Sequence, residues 1–169
     1  MKQIRYETPI NSIDIGLPTI FLAGPTVRGN QPHLTSWRFE AVEFLEKNAF
    51  DGNVIIPEFT DKTESDKYRY DLPVWENEGL AISDVILFWV ARTRELIALT
   101  TNHEFGYWMA RDRARMVYGR PDDAYRIIYN DIMWVEDAKR VGAKCPIHNT
   151  LYKTVMAALE LCKQRFYPI

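Results

Sequence analysis

The chain has little cysteine, and its two cysteines, Cys145 and Cys162, have no spacing of the metal-binding or disulfide-framework kind. Its three histidines, His33, His103 and His148, are scattered, and none forms a HExxH-type pair. No structural metal is expected. No apolar run approaches the ~18 residues of a membrane span. The opening stretch MKQIRYETPI lacks the apolar centre of a signal peptide. Together these absences imply a reduced, cytoplasmic setting without a membrane partner. Excess positive charge is also missing, with 21 Lys and Arg against 23 Asp and Glu. That argues against a nucleic-acid scaffold, which needs a basic face. It still allows a small anionic ligand, for which one or two arginines suffice. Internal repeats, low-complexity tracts, a P-loop and a GxGxxG fingerprint are all absent.

What remains is the composition of a globular domain. With 169 residues, 47% hydrophobic and 26% charged, the chain can bury a core as one domain over 1–169. Aromatics are abundant at 13%; they usually fill cores, and they also stack on flat bases. Short apolar runs read as buried strands: LPTIFLAGP (17–25) and NVIIPEF (53–59), each closed by Gly or Pro, and the continuously apolar DVILFWV (84–90). AYRIIYN (124–130) reads as a fourth. Helices are expected at SWRFEAVEFLEK with Ser36 as N-cap, at LPVWENEGLAIS with Pro73 in its first turn, from near Glu104, and at NTLYKTVMAALELCKQRF. This alternation predicts an α/β three-layer sandwich, flavodoxin-like or Rossmann-like, with a four- to five-stranded, mainly parallel sheet. In such sheets ligands bind beyond the carboxyl ends of the strands. Those ends would carry Gly24-Pro25, Pro57-Glu58, Arg92 and Asn130-Asp131. The polar stretch TDKTESDKYRYD (60–71) has the character of a loop covering a site.

Three segments can carry chemistry. In AGPTVRG, Arg28 and Gly29 are placed to hold an anion by charge and backbone N–H groups; an ordinary surface turn reads equally well. In WENEGLAISD, Glu76 lies within a helix and Asp84 opens a strand at the end of the sheet away from the ligand side. Asp84 is therefore structural, and Glu76 by itself is an ordinary solvated helix acid. In TTNHEFGYWMA, Thr101 and Glu104 fit a capping box at a helix start. The helix dipole there would keep a carboxylate ionised, and an ionised, partly desolvated carboxylate also suits a glycosyl nucleophile.

Taken in this order and spacing, IFLAGP, SWR, WE, SDVILFW and EFG resemble the nucleoside 2-deoxyribosyltransferase-like family, which includes 2′-deoxynucleoside 5′-phosphate N-hydrolases. The resemblance runs from about residue 19 to about residue 130. It implies that Glu104 is the nucleophile that attacks C1′, and that Glu76 handles the proton of the departing base. Glu76 stands where many members have an aspartate. Phe21 falls where several have a catalytic tyrosine, and Ala98 where some have an aspartate. GPTVRG is similar to the phosphate loop of the nucleotide hydrolases, with Gly24, Pro25, Thr26, Arg28 and Gly29 in place, although Pro25 has no N–H to offer. Trp75 beside Glu76 is the residue chosen to stack on the base, ahead of Trp37 and Trp89. Thr101 and Asn102 are candidates for a sugar or phosphate hydrogen bond. The resemblance implies a small nucleoside or nucleotide substrate, no cofactor, and a homo-oligomer. Base, sugar, phosphorylation state, and hydrolysis against transfer stay open. A silent nucleotide-binding module and an FMN-binding flavodoxin-like protein are the rivals. No Ser/Thr-rich phosphate loop follows the first strand, which counts against FMN.

Overall fold

The computed structural model describes residues 1–61 and 70–166. Apolar runs in which every residue is shielded form its central strands: β2 (Thr19–Ala23) and β4 (Val85–Trp89) are buried throughout. With β1 (Lys2–Ile4), β3 (Asn53–Ile55), β5 (Met116–Gly119) and β6 (Ile147–His148) they build one sheet in the order β1-β3-β2-β4-β5-β6. Every neighbouring pair is parallel. Five helices cover it: α1 (Trp37–Lys47), α2 (Asp71–Ile82), α3 (Leu99–Asp112), α4 (Ile128–Val141) and α5 (Leu151–Phe166).

The period of two along a strand divides the core. Ile20, Leu22, Val85 and Leu87 face Ala41 and Leu45 of α1 and Val155 and Leu159 of α5. Phe21, Ile86 and Phe88 face Leu80 of α2, Phe105 and Trp108 of α3 and Trp134 of α4. The result is the expected α/β three-layer, flavodoxin-like sandwich, with six strands in place of four or five. The added strands, β1 and β6, are short sheet edges of three and two residues, too brief to show a period.

Two expectations about elements are overturned. Residues 124–130 are not a strand. Arg126 turns the chain with a left-handed φ of 49°, and α4 begins at Ile128. The apolar pair divides by helical geometry: Ile127 is buried and Ile128 is exposed, while Asn130, Trp134, Asp137 and Ala138 line the inner face of α4. The strand in this part of the chain is β5, a four-residue run separated from α3 by one 3-10 turn at Arg113–Arg115. Asn130 and Asp131 are therefore helix residues rather than a strand end. The second correction is that α3 begins at Leu99, not near Glu104. Thr101 lies inside the helix and is buried, and the residue before the helix, Ala98, adopts a left-handed conformation with no side-chain cap. The capping box is not formed.

Asp84 is structural: its Oδ2 accepts the Thr19 N–H at 2.8 Å, which ties β4 to β2 at the amino end of the sheet. At the opposite end Gly24 ends β2 with φ +156°. A Cβ there would lie 2.3 Å from the Trp89 carbonyl and 2.8 Å from the Trp37 ring, so only glycine lets the chain turn against β4.

Candidate active site

The site is built around a buried cation. Arg38, in the first turn of α1, is only 1% exposed. Its Nη1 lies 2.6 Å from Glu58 Oε1. Its other bonds go to the chain leaving β2: Nε donates to Leu22 O at 2.9 Å and Nη2 to Gly24 O at 2.8 Å, while Nη1 also reaches Pro25 O and Thr26 Oγ1. Ser36, the expected N-cap of α1, accepts the Arg38 N–H and donates to Glu58. Trp37 Nε1 donates to Pro25 O at 3.0 Å. The carbonyls of the Gly24-Pro25 turn thus face inward. Beyond them the Arg28 N–H donates to Gln31 Oε1, Gln31 Nε2 donates to Glu95 O, and His33 pairs with Glu95 at 2.7 Å. The loop bearing Thr26, Arg28 and Gly29 is thereby pinned against the loop that follows β4.

Next to this frame, α2 and α3 bring Glu76 and Glu104 together, and the two carboxyls share a hydrogen bond. Gly79 of α2 permits the approach of the helix to the sheet: a Cβ there would sit 3.0 Å from the Phe21 ring. Glu104 is the sixth residue of α3, a full turn past the first amides, where the dipole has little hold. Burial, the Glu76 charge and the shared hydrogen bond raise its pKa from 4.5 to about 8, and Arg38 opposes the rise. This reverses the expectation of a carboxylate kept ionised by the helix terminus. A buried acid beside a second carboxylate holds its proton more tightly than an exposed one.

One participant was not anticipated. The Tyr6 hydroxyl donates to Glu76 Oε1, and the Tyr6 ring packs 4.9 Å from Phe59 and 5.0 Å from Trp75, centroid to centroid. Trp75 is fixed in turn by Nε1 donating to Thr8 O at 3.0 Å. Burial, followed by the Glu76 charge, holds the Tyr6 pKa far above its ordinary value, so it remains a donor. No motif flags Tyr6; the only signal in the sequence is a lone aromatic near a polar N-terminus.

The remaining candidates divide between two places. Phe21 is 1% exposed and belongs to the core under α2. Trp89 is also core, and Trp37 belongs to the Pro25 turn. Asn102 is not brought to the pair. It is two residues from Glu104, about 200° around the helix, and its Oδ1 accepts from Arg92 and from Asn130. A cavity of about 650 Å³ between α3 and α4 lies on that same far side. Asp131 accepts from Tyr118 and pairs with Arg120 at 2.8 Å. Most of the stretch expected to cover the site, 62–69, lies outside the described residues.

Fold and site together define a doubly wound parallel α/β domain with a carboxyl pair at the edge of its ligand end. The family model for nucleoside 2-deoxyribosyltransferase-like proteins matches residues 17–122, well over half of the chain, and the chain belongs to that family. Comparison with curated proteins gives no match. Membership points to nucleoside deoxyribosyltransferase-like chemistry, and among the described residues no helix is long and apolar enough to cross a membrane.

Removing only the Tyr6 hydroxyl tests the newly found contact. Tyr6→Phe keeps the ring among Phe59 and Trp75 and is expected to lower unfolding stability by about 0.5–1.5 kcal/mol in urea titration. Unchanged stability would mean that the bond to Glu76 contributes nothing.

Proposed function

We propose that the protein cleaves or transfers the N-glycosidic bond of a deoxynucleoside or its 5′-monophosphate through a glycosyl ester on Glu104. The observation that carries this reading is that α2 and α3 bring Glu76 and Glu104 together, where burial and the Glu76 charge raise the Glu104 pKa to about 8. N-glycoside cleavage needs one proton for the departing base and one carboxylate for C1′. A pair that holds a single proton supplies both. As the C1′–N bond breaks, its electrons go to the base nitrogen, while Glu104 passes the pair's one proton to Glu76 and Glu76 delivers it to that nitrogen. The Glu104 carboxylate left behind bonds to C1′. Water, or a second base, then attacks C1′. The C1′–O bond to Glu104 breaks, and the attacking group's proton returns to the pair. Tyr6 orients Glu76 throughout, and Trp75 offers a face beside it for the base. The Gly24–Gly29 loop, held from beneath by Arg38, is the proposed seat of the sugar or its phosphate, with Thr26 and Arg28 as the groups for that contact.

A homo-oligomer is part of the same proposal. Ile128, Ile132 and Val135 form an exposed apolar stripe on α4 at helical spacing, a surface of the kind that subunits cover. Sedimentation of the full chain as a monomer would remove this part. The alternative reading is a silent nucleotide-binding module of the same fold, favoured by the missing hydroxyl at Phe21 and the missing acid at Ala98.

Incubation with deoxynucleosides and their monophosphates separates the readings. Free base is expected with wild type, and Glu104→Ala should lower the rate by about 10³-fold or more. Base exchange that requires a second base would assign transfer. Tight binding with no turnover would establish the silent module, and full activity of Glu104→Ala would sink the nucleophile. Mass spectrometry of a trapped adduct on Glu104 is the direct check.

The pair also sets a pH dependence. Activity is expected to fall as pH rises through about 8, where Glu104 loses its proton before substrate arrives. Stability follows the same sign. Between 4.5 and about 8 the folded state binds more protons at Glu104 than the unfolded state, so stability declines with pH across that window. Glu104→Gln should remove this slope, and its melting temperature should exceed that of wild type by more at pH 8 than at pH 5.

A further inference from the structure

Arg92 is a buried cation without a counter-charge. It follows β4, is 6% exposed, and among the described residues has no carboxylate in an ion pair. Its Nη1 donates to the Arg126 carbonyl at 3.1 Å and its Nη2 to Asn102 Oδ1, while its buried Nε has no hydrogen-bond partner. Burial pulls its pKa below the ordinary arginine value, opposed only in part by the Tyr118 phenol. Arg38 shows what this fold does with a buried guanidinium that is purely structural: five donor contacts, one of them to the Glu58 carboxylate. An unpaired buried charge costs several kcal/mol and persists where something outside the chain completes it.

Arg92 lines the cavity of about 650 Å³ between α3 and α4, a volume within the range of small-molecule sites. Phe105, Met109, Tyr129 and Met133 supply its apolar and aromatic wall, and Asn102 and Asn130 stand beside the guanidinium. The carboxylates at the outer end are already committed: Asp137 pairs with Arg113 and Arg140, and Glu136 pairs with Lys139. Asn102, Gly106 and Met109 share one face of α3, opposite Glu104. The cavity is thus a separate site.

We infer that this cavity binds a small aromatic anion, a phosphomonoester or carboxylate, with the anion on Arg92 and the ring among Phe105, Met109 and Met133. The inference does not depend on the chemistry of the Glu104–Glu76 pair. It is tested by calorimetric titration of the full chain with phenyl phosphate and with benzoate. Phenol serves as the uncharged control and inorganic phosphate as the ringless one. At least one aromatic anion should bind about tenfold or more tighter than both controls. Which of the two binds assigns phosphomonoester or carboxylate. Arg92→Met should weaken that binding by at least about tenfold, and Glu104→Gln should leave it unchanged. Gly106→Leu gives the same readout without touching Arg92, because a Cβ at Gly106 meets nothing within 4 Å and the longer side chain fills the cavity. Equal affinity for phenol, binding that survives both Arg92→Met and Gly106→Leu, loss of binding in Glu104→Gln, or no binding at millimolar probe would each overturn the inference.

Discussion

The Arg38–Glu58 ion pair fixes the ligand end of the sheet. Arg38 comes from α1, Glu58 from the chain after β3, and the carbonyls of Leu22 and Gly24 from β2 and its exit. One guanidinium therefore ties three consecutive segments at the point where parallel strands have used up their ladder partners. Both charges lie out of water, so neither can lose the other cheaply; breaking such a pair costs about 3–5 kcal/mol. Gly24 and Pro25 turn their carbonyls toward this cation, which fixes the shape of the turn. The same positive charge opposes the rise of the Glu104 pKa. Arg38 therefore shapes the loop and also moderates the acid pair.

Three effects compete at the pair. Burial favours neutral carboxyls, the Glu76 charge disfavours a second ionisation, and Arg38 favours it. Burial dominates and Arg38 is the weakest contribution. An acid at a helix N-terminus would have had the dipole on Arg38's side. By starting at Leu99, α3 moves Glu104 out of that field and down beside α2. That shift of five residues separates a permanently charged carboxylate from one that holds a proton at neutral pH. Tyr6 acts in the same direction, since a buried phenol donating to Glu76 gives that carboxylate a partner without adding a charge.

Most of the layer architecture was legible because it depends on composition over several residues. LPTIFLAGP and DVILFWV contain enough apolar residues to define strands, and Ser36 before a helical period defines the start of α1. The misreadings involve short or ambiguous runs. MVYG is only four residues long, and AYRIIYN holds an Ile pair that suits a strand or a helix until the positive φ at Arg126 decides. The capping box failed for another reason: Thr101 satisfies the local pattern, but burying it within α3 outweighs one cap. For the site, Glu104 and Glu76 could be named from motifs, because motifs record residue types along the chain. Tyr6 could not, and Arg92 could be placed only at a strand end. Tyr6 is seventy residues from Glu76, and what marks Arg92 is the lack of a carboxylate partner among the described residues, which only three dimensions reveal.

The matched span ends before α4 and begins after Tyr6. The carboxyl pair, the Arg38 frame and Arg92 all lie inside it. The hydroxyl on Glu76 comes from before it, and Asn130 and Met133, one wall of the cavity, come from after it. α3 separates the two regions: Glu104 projects from one face and Asn102 from the other. A sequence that kept the family span but changed its flanks would keep the acid pair, and would lose the phenol that orients it and the wall that encloses Arg92. Residues 1–16 and α4, outside the matched span, therefore adjust the surroundings of a carboxyl pair that the matched span supplies.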